Sequence, residues 1–452
     1  MPSKNVNVSL IIDTSGSMGM NAWQQGIAYL DFAKTDAATF IYIMKTGDSV
    51  GLINFSDNAN YLYPTDGSSN VKIDSLQVQD AAVNKIESLS SQNMTNISDG
   101  INKGLSLISN KEWPKALILL SDGDWNQGSD PTQNLPPDLP IHTIALGDHG
   151  QINVLQTIAN KTGGTFHLSP TPFDLAAIYH EIVNNTQVAA TIANEQHQIL
   201  KYRFSQSSAV FAPNASEAIF SINWHNRDIE YTPNPTPAKN QVNVTVVDPN
   251  NQRVNVPAYR SGKGFVVFKV PNPQPGEYHS AIWYAGEQQL NCTMGIFDPN
   301  LDISLDAQVL ASIIQKNDDI ECRVRVLDGD EPVKNVTIRM TKESPLISQE
   351  EALSTHEERL AEIQDEVEGL AMSDSAKLMA LQMQIGPQER IIPYAVQPLT
   401  FETSSKDSDQ YSVATASTNI PGSHILYVTA EGYSEKSHRP FKLTRRLSIY
   451  SS

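Results

Sequence analysis

The chain has 452 residues, 40% of them hydrophobic, and a formal net charge of −18 from 32 Lys and Arg against 50 Asp and Glu. That length predicts about three folded domains, each able to bury a core, and the acidic balance argues against nucleic acid as a main partner. The two cysteines, Cys292 and Cys322, exclude a disulfide framework and read as reduced, buried residues; no apolar run approaches the ~20 residues of a membrane span.

Residues 1–5 have no charged stretch leading into an apolar one, so the chain as given carries no leader. It reads as cytoplasmic as written, and as extracellular or cell-surface if a leader has been cleaved. Residues 6–12 read as a buried strand, and Asp13-Thr14-Ser15-Gly16-Ser17 follows in the loop that leaves it. A long helix is expected over 22–44, strands over 49–55 and 60–63, and helices over 74–89 and 97–108. The continuous apolar runs 116–120 and 141–146 are typical of central strands buried on both faces. A helix over 151–162 closed by Gly163-Gly164, a strand over 165–168 and an amphipathic helix over 173–188 complete the pattern. Such alternation predicts a doubly wound α/β unit, a mostly parallel sheet with helices on both faces.

The texture changes near residue 195. Short extended segments at 218–224, 241–247, 264–270 and 276–284 are separated by turn clusters such as Asp248-Pro249-Asn250-Asn251, which indicates a β-sandwich. Asp298-Pro299-Asn300 reads as the next hinge. Strands return at 321–326, 335–340, 410–416 and 425–431, interrupted by a helical segment over 348–385 that opens with the capping-box pair Ser348 and Glu351. Its apolar positions Leu353, Leu360, Ile363, Val367 and Leu370 fall short of the three or four heptads of a coiled coil. The insert therefore reads as an α-hairpin folded on the sandwich, with a self-association arm as the alternative. Lys436, Arg439, Lys442, Arg445 and Arg446 read as a solvated last strand, docking of an acidic partner being the other reading. The expected organisation is an α/β domain over 1–190, a β-sandwich over 191–298 and a second sandwich over 299–452 with its insert at about 348–386.

In an open α/β sheet, ligands bind outside the carboxyl ends of the strands. Asp13, Ser15 and Ser17 lie at one such end, Asp122 at another, and Thr95 in a loop entering a helix, so the five can converge on one edge. Two carboxylates and three hydroxyls are hard donors that fill part of an octahedron, suited to one divalent cation, Mg²⁺ first and Ca²⁺ or Mn²⁺ as alternatives.

These residues resemble a von Willebrand factor type A domain with a metal-ion-dependent adhesion site. The flanks Ile144-Ala145-Leu146-Gly147, Leu155-Gln156-Thr157-Ile158-Ala159, Thr162-Gly163-Gly164-Thr165-Phe166 and Ile178-Tyr179-His180-Glu181-Ile182 carry the resemblance over roughly 5–188. It implies that Asp13 and Asp122 hold the ion directly or through water, that Ser15 and Ser17 ligate directly, and that Thr95 joins in the ligand-bound state. It also implies that a protein partner's Asp or Glu completes the shell, and that occupancy is coupled to sliding of the helix over 173–188. The segments Ala218-Ile219-Phe220-Ser221-Ile222-Asn223-Trp224, Val246-Val247-Asp248-Pro249-Asn250 and Gly276-Glu277-Tyr278 resemble the β-sandwich of calcium-activated chloride channel regulators, and the strands after it their fibronectin-type module. No His-Glu-x-x-His occurs, so those proteins' self-cleavage is not carried over.

The function expected is divalent-cation-dependent protein binding, without enzymatic activity. One alternative is an assembly protein whose contacts come from the sandwiches and the insert. A more remote one is a serine hydrolase in which Ser17 pairs with Asp122 and one of His142, His149 or His167. It resembles a nucleophile elbow, but Ser15 replaces the elbow's first glycine, and Asp13 and Thr95 are left unexplained.

Overall fold

The computed structural model describes residues 5–19, 28–91, 94–112, 114–122, 125–146, 152–169, 172–186, 188–199, 203–211, 213, 215–224, 226–287, 289–299, 301, 303–311, 313–329, 331–366, 377–378, 381, 391–399, 410–416 and 420–452. The N-terminal part runs β1 (Asn7–Asp13), α1 (Tyr29–Ile43), β2 (Ser49–Phe55), β3 (Ala59–Tyr63), β4 (Val71–Lys72), α2 (Leu76–Glu87), α3 (Ile97–Ile108), β5 (Lys115–Ser121), β6 (Ile141–Leu146), α4 (Ile152–Thr162), β7 (Phe166–Ser169) and α5 (Leu175–Asn185). Its sheet has the order β3-β2-β1-β5-β6-β7, parallel from β2 to β7, while β3 and β4 pair with β2 antiparallel. The doubly wound expectation holds.

Side chains on the central strands alternate between two cores, as the pleat requires. Leu10 and Ile12 of β1 join α1, α2 and α5 in one cluster, whereas Ile11 joins α3 and α4 in the other. On α3, an added Cβ at Gly104 would lie 2.7 Å from Ile11, so the helix sits close on the sheet only because that position is bare. The long helix expected over 22–44 begins at Tyr29 among the described residues, and positions 20–27 lie outside them.

Downstream, a five-stranded sheet (order Arg260–Gly262, Phe265–Pro271, Glu217–Trp224, Leu290–Asp298, Ala190–Ile199) faces a four-stranded one (Glu230–Tyr231, Gln241–Val247, Gly276–Tyr284, Arg203–Phe211). Phe220, Val266 and Met294 from the first sheet meet Val244, Tyr278 and Ile282 from the second in a shared core. A second pair of sheets follows, one built on Asp319–Asp328 and the other on the long hairpin of Gly422–Ser434 and Arg439–Ser451. Cys292 and Cys322 are buried free thiols in separate cores.

In the insert, Ser348 accepts the amide of Glu351 and caps the helix Gln349–Thr355. A second short helix, Glu357–Glu366, follows the break at His356. Ala352, Leu360, Leu378 and Leu381 share a small core of their own with Ile391 and Ile392. Val367 and Leu370 lie outside the described residues.

One expectation needs correction in part. Arg439, Arg445 and Arg446 are buried and paired inside the molecule, whereas Lys436 and Lys442 stay exposed as expected of a solvated strand. Arg445 Nη1 donates to Glu181 Oε2 on α5 at 3.1 Å, and Arg446 Nη2 lies 3.6 Å from Asp174 just ahead of that helix. Arg439 Nη2 donates to Asp298 Oδ2 at 3.1 Å, so Asp298 ends its strand in a buried ion pair. Arg445 can be buried in this way because its planar fork donates at once to Glu181 and, through Nε, to the Leu305 carbonyl at 2.9 Å.

Candidate functional site

The site is a turn at the carboxyl end of β1. Asp13, fully buried, is the last residue of that strand. Its Oδ1 accepts the Ser15 amide at 2.8 Å, the local bond by which an aspartate shapes a turn. Its Oδ2 accepts the hydroxyl of Ser121 at 2.6 Å, which ties β1 to the end of β5. Thr14 anchors the turn on its other side, both its amide and its hydroxyl donating to the Phe55 carbonyl. The chain then makes one short 3₁₀ turn, Gly16–Gly19, with Met18 sunk into the core.

Ser15 and Ser17 come together on this turn, their hydroxyl oxygens 3.1 Å apart. Ser15 is buried, Ser17 half-buried and Gly16 exposed, so the turn opens to solvent at its tip. Asp122, half-buried, follows Ser121 directly. Burial first, and the charge of Asp122 second, push the Asp13 carboxyl well above the usual carboxylate range. The groups that pull it back are the hydrogen bonds of Ser121 and Ser15; no basic side chain is among them.

Thr95 is buried in the loop entering α3. Its amide donates to Asn126 Oδ1 at 3.0 Å and its carbonyl accepts from the amides of Asn126 and Gln127, so the loop after β5 holds it. Among the described residues no hydrogen bond joins its hydroxyl to Asp13, Ser15, Ser17 or Asp122. Asn96 caps α3 by accepting the Asp99 amide, and Gly128, at φ +85°, passes where an added Cβ would lie 2.2 Å from the Asn96 side chain. Met94, 38% exposed, stands beside Thr95 on the rim. Asp99 of α3 accepts the Ala59 amide at 2.7 Å.

The imidazoles considered for a triad are engaged elsewhere. His142 Nδ1 and His167 Nε2 lie 2.8 and 2.7 Å from the Thr165 hydroxyl, and burial holds them neutral, pushed down to about 4 and about 3. His149 lies outside the described residues. Sequence reasoning missed Ser121 and Asn126, whose roles depend on partners 108 and 31 positions away. The only signal for Ser121 was its place next to Asp122 at a strand end.

The donor set fits a hard divalent cation. Among the described residues no three His, Cys, Asp or Glu side chains cluster, so such an ion would rest on two carboxylates and on hydroxyls. Neighbouring corners of an octahedron with Mg–O near 2.1 Å are about 3.0 Å apart, which is the spacing of the two serine hydroxyls. A cation would also relieve the mutual repulsion of Asp13 and Asp122.

Residues 7–181 match the family described as von Willebrand factor type A domain. Inter-alpha-trypsin inhibitor heavy chain H3 of Mesocricetus auratus is 24% identical over 225 residues, covering 44% of this chain and 24% of that protein. Its counterpart in Pongo abelii is 23% identical over 220 residues, again covering 44% of this chain and 24% of that protein. The chain thus spans about a quarter of the length of the curated relatives it matches. Among solved structures, a von Willebrand factor type A protein from Catenulispora acidiphila is 16% identical, with a TM-score of 0.36 over 72% of this chain and 62% of that one. The PilB minor pilin from Streptococcus sanguinis is 18% identical, with a TM-score of 0.32 over 41% of this chain and 62% of that one. A doubly wound sheet with this turn at the end of its first strand, matched by the family over the same stretch, makes residues 7–181 a von Willebrand factor type A domain.

Proposed function

We propose that the domain binds a protein partner through a divalent cation, Mg²⁺ first, held by Asp13, Ser15, Ser17 and Asp122. The observation that carries this reading is the pair of hydroxyls 3.1 Å apart, one buried and one half-buried, flanking the exposed Gly16 of a turn whose buried carboxylate has no basic partner among the groups that stabilise it. When bound, the ion supplies an open coordination position that takes an Asp or Glu side chain of the partner. The protein's own part is positional. Ser121 and the Ser15 amide fix both oxygens of Asp13, and Thr14, bonded to Phe55, fixes the turn. Thr95 belongs to the same proposed set, and its hydroxyl joins once the partner is bound.

No reacting group is organised for bond cleavage in this reading, and the domain acts as a binding module. Capture of partners on the immobilised full chain tests it. Proteins retained in Mg²⁺, released by EDTA and absent from an Asp13→Ala column support the proposal. Retention indifferent to both chelator and substitution would move the function to the sandwiches and the insert.

A further inference from the structure

Tyr29 opens α1 and shares a core cluster with Met18 of the site turn and Leu120 of β5. Helix α1 lies against that turn. Tyr29 is only 2% exposed, and its hydroxyl has no hydrogen-bond partner among the described residues. That is unusual, because a buried phenol normally satisfies its O–H and an unmade buried hydrogen bond is costly. A phenylalanine would fill the same apolar space without that cost. The phenol is nevertheless within electrostatic reach of the site, the Asp122 carboxylate being, after burial, the second cause that raises its pKa.

We infer that Tyr29 is a positioning residue of the cation site, its hydroxyl donating a hydrogen bond to the Asp122 side of the coordination shell. Tyr29 makes no direct hydrogen bond to Asp122, so the acceptor is a water bound to the ion on its Asp122 side, and the bond sets the orientation of that water. Outer-sphere donors of this kind typically change metal affinity by about 10–100-fold when removed. The inference rests on the cation reading of the preceding section.

Tyr29→Phe and Asp122→Ala in the full chain separate the two. Mn²⁺ affinity and line shape are read by electron paramagnetic resonance, and melting is followed in EDTA. The expected result is an affinity about tenfold weaker in Tyr29→Phe, an altered Mn²⁺ line shape, and a metal-free melting temperature equal to or above that of the parent. Unchanged Mn²⁺ affinity in Tyr29→Phe, with Asp122→Ala losing it, overturns the role of Tyr29 and leaves the cation site standing. Melting of Tyr29→Phe below the parent in EDTA also overturns it, since the hydroxyl would then be holding the fold. Full affinity in Asp122→Ala overturns the cation reading itself.

Discussion

At the scale of single residues, Asp13 concentrates the conflict between stability and function. A carboxylate buried beside another costs folding energy unless a positive charge compensates it. Asp13→Asn keeps the oxygen that accepts the Ser15 amide and removes the charge. It should raise the stability of the metal-free protein by about 1–2 kcal/mol, read by urea unfolding in EDTA, while abolishing Mg²⁺ stabilisation. A variant that loses stability in EDTA would show that the charge is compensated within the fold. The pair Ser15 and Ser17 was legible from the sequence because both belong to one turn. The orphan hydroxyl of Tyr29 was not, because burial without a partner is a property of the packed structure.

Among elements, the last strand and α5 carry the main lesson. Arg445 and Arg446 looked like a solvated charge run because their partners, Glu181 and Asp174, are more than two hundred residues away. Arg446 Nη1 and Ser448 Oγ both donate to the carbonyl of Leu168 at 3.3 Å, so side chains of the strand cover the open edge of β7. Glu181 Oε1 also accepts the Arg446 amide. Truncating Arg445 to Ala leaves Glu181 with a lost ion pair in a buried site and should cost about 3–5 kcal/mol. Adding Glu181→Gln should recover most of that loss in denaturant unfolding; a double variant as unstable as the single one would place the cost elsewhere. This anchoring bears on the sliding that the family resemblance implied for the helix, because α5 moves only if these pairs break or travel with it. Other elements were easier to read. The helix Ile97–Ile108 was legible to the residue because its cap, Asn96, is local. The Ser- and Gln-rich strand Arg203–Phe211 was not, because it is held by its ladder with Gly276–Tyr284.

The joints between elements also titrate. His180 on α5 sits within hydrogen-bond reach of Asn194 and Ser221, and burial pushes it down to about 4. Its folded value is depressed, so its contribution is complete above pH ~6.5 and is lost as pH falls toward 4. Asp36 on α1 accepts from Asn223 at 2.7 Å and is pushed up to about 7 by burial, against the pull of Asn223 and Arg227. Its contribution has the opposite sense, present below its ordinary value near 3.8 and lost as pH rises through about 7. Asp36→Asn should therefore gain stability relative to the parent between pH 5 and pH 8, measured by melting at both. An offset equal at the two values would contradict the assignment.

On the scale of the whole molecule, the α/β domain and the sheet that follows it are not independent. Ile219, Phe265, Val267 and Phe297 of the five-stranded sheet belong to the same core cluster as Phe40, Tyr179 and Ile182 of α1 and α5. Around that core, Arg227 pairs with Glu87, Arg260 with Asp80, and Lys269 donates to the Met44 carbonyl. Residues 7–298 should therefore unfold in one calorimetric transition, and two separated transitions would contradict the shared core. The sequence displayed each layer through its periodicity, but not this joint, because contacts between layers leave no local pattern.

The central claim is that the turn after β1 holds a divalent cation. Isothermal titration of Mn²⁺ into the metal-free full chain tests it most directly. The account predicts one saturable site that disappears in Asp13→Ala and in Asp122→Ala while both variants remain folded. No binding by the parent chain, or equal binding by the variants, would contradict it.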